Sequence, residues 1–78
     1  MFVQVRLYDT LRRFSNTSDR GIWEGEIPKD CSIRELIRII GAGKGEVAFA
    51  AIDKKVVPLD TVIQEGDQVM LVTNINGG

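Results

Sequence analysis

The stretch DCSIRELIRIIG, residues 30–41, decides how this chain folds. Ser32 is a good helix N-cap, and Glu35 stands three positions later, which is the spacing of a capping box. Cys31 and Leu36 then fall at the two positions of a hydrophobic staple. Ile33, Leu36, Ile37 and Ile40 recur at helical spacing and form one apolar stripe. Gly41 ends the helix, and GAGKG leads the chain away. One helix with one greasy face needs a layer to lie on, and the flanking segments read as strands. In FVQVRLY, residues 2–8, Val3, Val5 and Leu7 share one face, and Phe2, Gln4, Arg6 and Tyr8 share the other. Thr10 to Phe14 suits a helical turn with Leu11 and Phe14 on one side. SNTSDRG is turn chemistry. GIWEGEI gives a second strand with Trp23 and Ile27 in phase, and Gly25 between them leaves room for a close neighbour. Pro28 closes it.

Beyond the helix, EVAFAAI is a third strand. DKK makes a tight connection into a short fourth strand, VVP, which Pro58 confines to an edge or an end. LDTVIQEGD is a loop expected to hold a helical turn, closed by Gly66-Asp67, and QVMLVT is the last strand. The order β-β-α-β-β-β gives an α+β fold, with a mixed sheet of about five strands and the main helix packed on one face. Parity sends Val3, Val5, Leu7, Ala50, Ile52, Val69 and Leu71 toward the helix. Tyr8, Phe49, Met70 and Val72 point away from it, where the chain has no second layer to cover them. Such a face calls for a partner.

With 78 residues there is material for one domain. The expected division is a folded domain over residues 1–73 and a flexible C-terminal tail over 74–78. A net charge of −1 argues against nucleic-acid or anionic-membrane partners. One cysteine and no histidine exclude an intrachain disulfide, a standard zinc site and the commonest general base. The N-terminus is not patterned as a signal peptide, and a reducing, cytoplasmic setting is expected. GAGKGE follows a helix, whereas a phosphate-cradling loop precedes one, so it reads as a C-cap and loop. Cys31 reads as an inert buried thiol, since nothing beside it activates it. Arg12, Arg13 and Arg20 read as a solvated basic surface. Glu24, Glu26 and Asp30 read equally as outward strand positions or as groups that steer a basic partner.

The chain ends TNINGG. An idle end and a working carboxylate both fit that stub. A terminal carboxylate is ionised at neutral pH and can attack the α-phosphate of ATP. To do so it must enter another protein's active site, and a narrow channel selects glycine at Gly77 and Gly78.

The segment VVPLDTVIQEGDQVMLVTNINGG resembles the C-terminal part of the MoaD/ThiS family of ubiquitin-like sulfur carriers. The likeness lies in Val56-Val57, Asp60, Val62, the Gly66-Asp67 turn, the alternating strand and Gly77-Gly78. VRLYDTLRRF resembles the start of the MoaD branch, the small subunit of molybdopterin synthase, and SIRELIRIIG sits where the family places its single helix. The resemblance implies a β-grasp, ubiquitin-like fold. It implies that an ATP-dependent activating enzyme of the MoeB/ThiF type adenylates Gly78, and that a sulfur donor converts the adenylate to a thiocarboxylate. Asn74, Ile75, Asn76 and Gly77 would enter the partner's channel. A larger synthase subunit of the MoaE type, or its equivalent, would receive the sulfur. ATP and zinc would belong to partners; this chain would bind no cofactor or metal and supply no catalytic side chain. Tyr8, Phe49 and Val72 match apolar contact positions of the MoaD branch, and Met70 lies between them on the same face. The chain departs from that branch in having TNIN where proline is usual. A tungsten- or molybdenum-cofactor carrier, a thiamine-thiazole carrier, a conjugated protein modifier and a plain binding module with an idle tail remain the alternatives.

Overall fold

The computed structural model describes residues 1–43 and 45–73. Five strands form one sheet in the order β2-β1-β5-β3-β4: β1 is Phe2–Leu7, β2 Ile22–Glu26, β3 Val47–Ile52, β4 Lys55–Val57 and β5 Gln68–Thr73. The central pair β1–β5 is parallel, and the other three pairings are antiparallel. A 3-10 helix, Asp9–Phe14, follows β1, and the single α-helix, α1, spans Ile33–Ile40. This is the β-grasp arrangement: a mixed five-stranded sheet with a helix laid across one face.

Each signal in residues 30–41 acts as its chemistry requires. The Ser32 hydroxyl accepts from the Glu35 amide at 3.1 Å, and the Glu35 carboxylate accepts from the Ser32 amide at 3.1 Å. Gly41 has φ 104°, and the amides of Gly41 and Ala42 return to the carbonyls of Arg38 and Ile37. That is a Schellman ending, which needs the left-handed backbone that glycine tolerates. Ile33, Leu36 and Ile40 are buried against Val3, Val5, Leu7, Val69 and Leu71 from the sheet, with Ile37 partly buried beside them. Cys31 joins the same core.

The loop from Pro58 to Asp67 departs from expectation. It contains no helical turn; it runs as two tight turns with an isolated bridge between Ser32 and Val62. The reason lies in the helix. The first amides of α1 have no partner within the helix. The Leu59 and Thr61 carbonyls accept from Arg34 and Ile33 at 2.9 and 3.0 Å, and the Cys31 carbonyl accepts from Ile63 at 2.8 Å. Carbonyls committed to α1 are lost to a helical turn of their own.

Gly25 also has an explanation that parity alone does not supply. A Cβ there would lie 2.8 Å from Cη2 of Trp23. The close neighbour is thus the indole two residues earlier on the same strand, folded along β2 over the glycine.

The β3–β4 hairpin turns through Asp53 and Lys54 alone, because Ile52 pairs with Lys55. Both turn residues have positive φ, 53° and 73°, as a type I′ turn demands. Lys55 therefore belongs to the strand and not to the connection.

Candidate functional site

The sheet has one covered face and one open face. Registers across the strands assemble a row on the open face. Arg6 lies between Ile22 and Met70, Met70 pairs with Ala51, and Ala51 with Val56. The flanking row toward the end of β5 brings Phe49 beside Val72. Phe49 is 41% exposed and Val56 69% exposed. Tyr8, Met70 and Val72 are half-buried. The four residues assigned to this face by alternation thus lie at the surface, on elements that adjoin one another. Tyr8 is placed one residue beyond β1, still extended, as the cap of the 3-10 helix. Arg6 and Val56 complete the face at the surface, with Ile22 and Ala51 buried between their neighbours in the same row, and none of the four was among those nominated. Arg6 was legible from the β1 alternation. Val56 was missed because DKK reads as the connection; the two-residue turn seen in the structure fixes its partner as Ala51.

Strand β3 owes this geometry to a bulge. Its register with β5 shifts between Val47 and Phe49, and one extra residue there reverses the parity. Val47 consequently joins the core while Phe49, two residues on, is exposed.

The last described strand, β5, lies between β1 and β3 in the middle of the sheet. Its final residue, Thr73, pairs with Val47, and the Thr10 hydroxyl lies 3.4 Å from the Thr73 hydroxyl. Gly78, Gly77, Asn76, Ile75 and Asn74, to which the sequence assigned activation and channel entry, lie outside the described residues. So does Lys44.

The other motifs resolve into structural parts. The Glu46 carboxylate accepts from the Gly43 amide and pairs with Arg13. The Gly43 amide of GAGKGE is thus already used within the chain. Those bonds, the Arg13 one first, hold the Glu46 carboxyl below the usual carboxylate range. Arg13 also stacks over the Phe14 ring, 4.3 Å from its centroid, so it belongs to a paired contact instead of an open basic cluster. Burial, and secondarily the Glu35 charge, raises the Cys31 thiol above its ordinary value; it is kept protonated and unreactive. The edge of β2 is closed by a side chain: the Asn16 amide donates to the Glu24 carbonyl at 2.7 Å and accepts from its amide at 2.8 Å. Among the described residues no three His, Cys, Asp or Glu side chains are grouped to hold a metal, and no helix is long and apolar enough to cross a membrane.

Such a domain is ubiquitin-like in class: a β-grasp sheet with an uncovered apolar face and a C-terminal segment following its central strand. The ThiS family model matches residues 5–78, and the chain belongs to the ThiS family. It is thereby one of the ubiquitin-like sulfur carriers or modifiers. No curated protein gives a significant match to the sequence. Among solved structures, the chain is similar to SAMP1 from Haloferax volcanii, with a TM-score of 0.71 at 13% identity over 100% of both chains. A second structure of that small archaeal modifier protein gives 0.69 at 9% identity, over 92% of this chain and 95% of the other. A chain in the complex of subunits 1 and 2 of the molybdopterin-converting factor from Helicobacter pylori gives 0.56 at 21% identity, over 100% of both. At these identities the likeness is one of fold.

Proposed function

We propose that this protein carries sulfur as a thiocarboxylate on Gly78 and donates it in cofactor biosynthesis, with a molybdopterin-type pathway as its setting. The observation that supports this most is the family match, whose bounds extend to Gly78. The chemistry needs little from the chain itself. A carboxylate oxygen attacks the α-phosphate of ATP in an activating enzyme of the MoeB/ThiF type, and pyrophosphate leaves. Sulfur at the sulfide level, supplied by a donor, then attacks the acyl carbon, and AMP leaves. The thiocarboxylate is delivered to a larger synthase subunit. The branch-like N-terminal segment and the fold likeness to a chain of the H. pylori molybdopterin-converting factor favour the MoaD branch and a partner of the MoaE type. Tyr8, Phe49, Met70 and Val72 form the docking face, and Asn74, Ile75, Asn76 and Gly77 enter the partner's channel. The lone buried cysteine fits a reducing cytoplasmic setting.

Intact mass spectrometry after incubation with ATP, the activating enzyme and a sulfur donor tests the proposal. Exchange of one oxygen for one sulfur is the expected result. Removal of Gly77 and Gly78, or addition of one alanine after Gly78, abolishes it; a product that survives either change overturns the proposal. The second reading is conjugation to lysine amines of target proteins, favoured by the fold likeness to SAMP1. It predicts adducts of protein size instead of the single-atom exchange.

A further inference from the structure

The open face is apolar at its rim and cationic near its centre. Arg6, Tyr8, Ile22, Lys54, Gln68 and Met70 line a shallow recess of about 300 Å³ on it. No carboxylate lines that recess, and three beside its lining residues each accept a hydrogen bond from another group. Glu24 accepts from the Gln4 amide at 2.7 Å, Asp53 from the Gln68 backbone at 3.1 Å, and Asp67 from the Gln64 backbone at 2.7 Å. Among the described residues neither Arg6 nor Lys54 has a hydrogen-bond or ion-pair partner. The larger groove beneath α1, lined by Arg34 and Arg38, differs. There Asp60 pairs with Arg34 at 3.1 Å, and Arg38 stands in the last helical turn, where it offsets the helix dipole. Arg12, Arg20, Lys29 and Lys55 are also without such a partner among the described residues; what sets Arg6 and Lys54 apart is that they line a recess on the open face.

Covering Arg6 with a purely apolar surface would strand a guanidinium out of water, at a heavy cost. A carboxylate meeting its planar fork removes that cost and adds direction. We infer that the partner docking on this face presents an apolar surface with one Asp or Glu side chain placed against Arg6, and that Lys54 steers the approach. This rests on the open face being the docking face; it adds the chemistry that selects the partner.

The first test titrates ¹⁵N-labelled protein with the peptides Ac-Leu-Asp-Leu-NH₂ and Ac-Leu-Asn-Leu-NH₂. The Asp peptide is expected to move the amides around Arg6, Ile22 and Met70 and to bind about tenfold more tightly than the Asn peptide. Added salt and Arg6→Met, which keeps an unbranched apolar stem, should both erase the difference. Equal binding of the two peptides, no shift at these amides, or shifts confined to Arg34 and Arg38 overturns the inference. Inorganic phosphate matching the Asp peptide at the same amides also overturns it, because the recess would then be a site for small anions. The second test measures the KM of the activating enzyme for this protein in ATP–pyrophosphate exchange. Arg6→Glu should raise KM by more than about tenfold and leave kcat unchanged. Phe49→Asp in parallel separates the two ideas. If Phe49→Asp raises KM and Arg6→Glu does not, docking stands and the carboxylate is wrong. If Phe49→Asp has no effect, the docking face itself is wrong and the inference falls with it.

Discussion

The two faces of this one sheet are built to opposite specifications. On the covered face, Val3, Val5, Leu7, Ala50, Val69 and Leu71 are buried with α1 against them. On the open face the same strands carry Gln4, Arg6, Gln68 and Met70, with no element above them among the described residues. Successive residues of β1 therefore do different work: Val5 holds the domain together, while Arg6 faces whatever meets it. With the open face as the docking face proposed above, stability and recognition would be separated by a single step along the strand. A change on one face should be felt in folding and a change on the other in binding.

The sharpest way to break that comparison is truncation of matched residues. Leu36→Ala should cost about 2–5 kcal/mol of stability through lost burial and a residual cavity, measured by urea unfolding. Against a typical total of about 5–15 kcal/mol for a small domain, that leaves a marginal fold. Phe49→Ala should cost less than about 0.5 kcal/mol, as exposed positions do, while weakening partner binding. Equal destabilisation would erase the distinction between faces. Next in size is Gly25→Ala. The new methyl would meet the Trp23 ring at 2.8 Å, and displacing the indole from the covered face should cost about 1–3 kcal/mol. Trp23 is the only tryptophan in the chain, so its fluorescence reports the displacement directly; an unchanged spectrum counts against the close packing.

Ser32→Ala removes the side-chain half of the capping box and should cost about 1 kcal/mol, seen as an earlier unfolding midpoint with an unchanged m-value. The smallest effect concerns Glu46. Its carboxyl is held below the usual range by Arg13 and the Gly43 amide. Folding thus favours the ionised form: the contribution is present above the unfolded pKa and fades as pH falls through the folded one. The Gly43 amide shift should follow this acid titration, and Glu46→Gln should flatten it.

Much of the candidate face was legible in the sequence because alternation is local. Once Val3, Val5 and Leu7 are assigned inward, Arg6 and Tyr8 must face outward. Val72 follows likewise from Val69 and Leu71. Phe49 came out correctly from Ala50 and Ile52, but the bulge just before it was invisible, since VAFAAI carries no local mark of one. The Pro58–Asp67 loop misled for a related reason. Its residues suit a helical turn until the helix N-terminus, some two dozen residues earlier in the chain, draws away its carbonyls.

By itself the sequence determined the extent of α1, its caps, its buried stripe, a tight connection beginning at Asp53 and, outside the β3 bulge, which side chains of each strand share a face. These depend on groups within a few residues of one another, so backbone geometry and side-chain periodicity suffice to set them. Tertiary structure alone decided that β5 runs parallel to β1 in the centre of the sheet, that the bulge carries Val47 into the core, and that Ile22, Arg6, Met70, Ala51 and Val56 line up across five strands. Lateral register is fixed by hydrogen bonds and burial between segments far apart in the chain, and no short stretch of it contains that information.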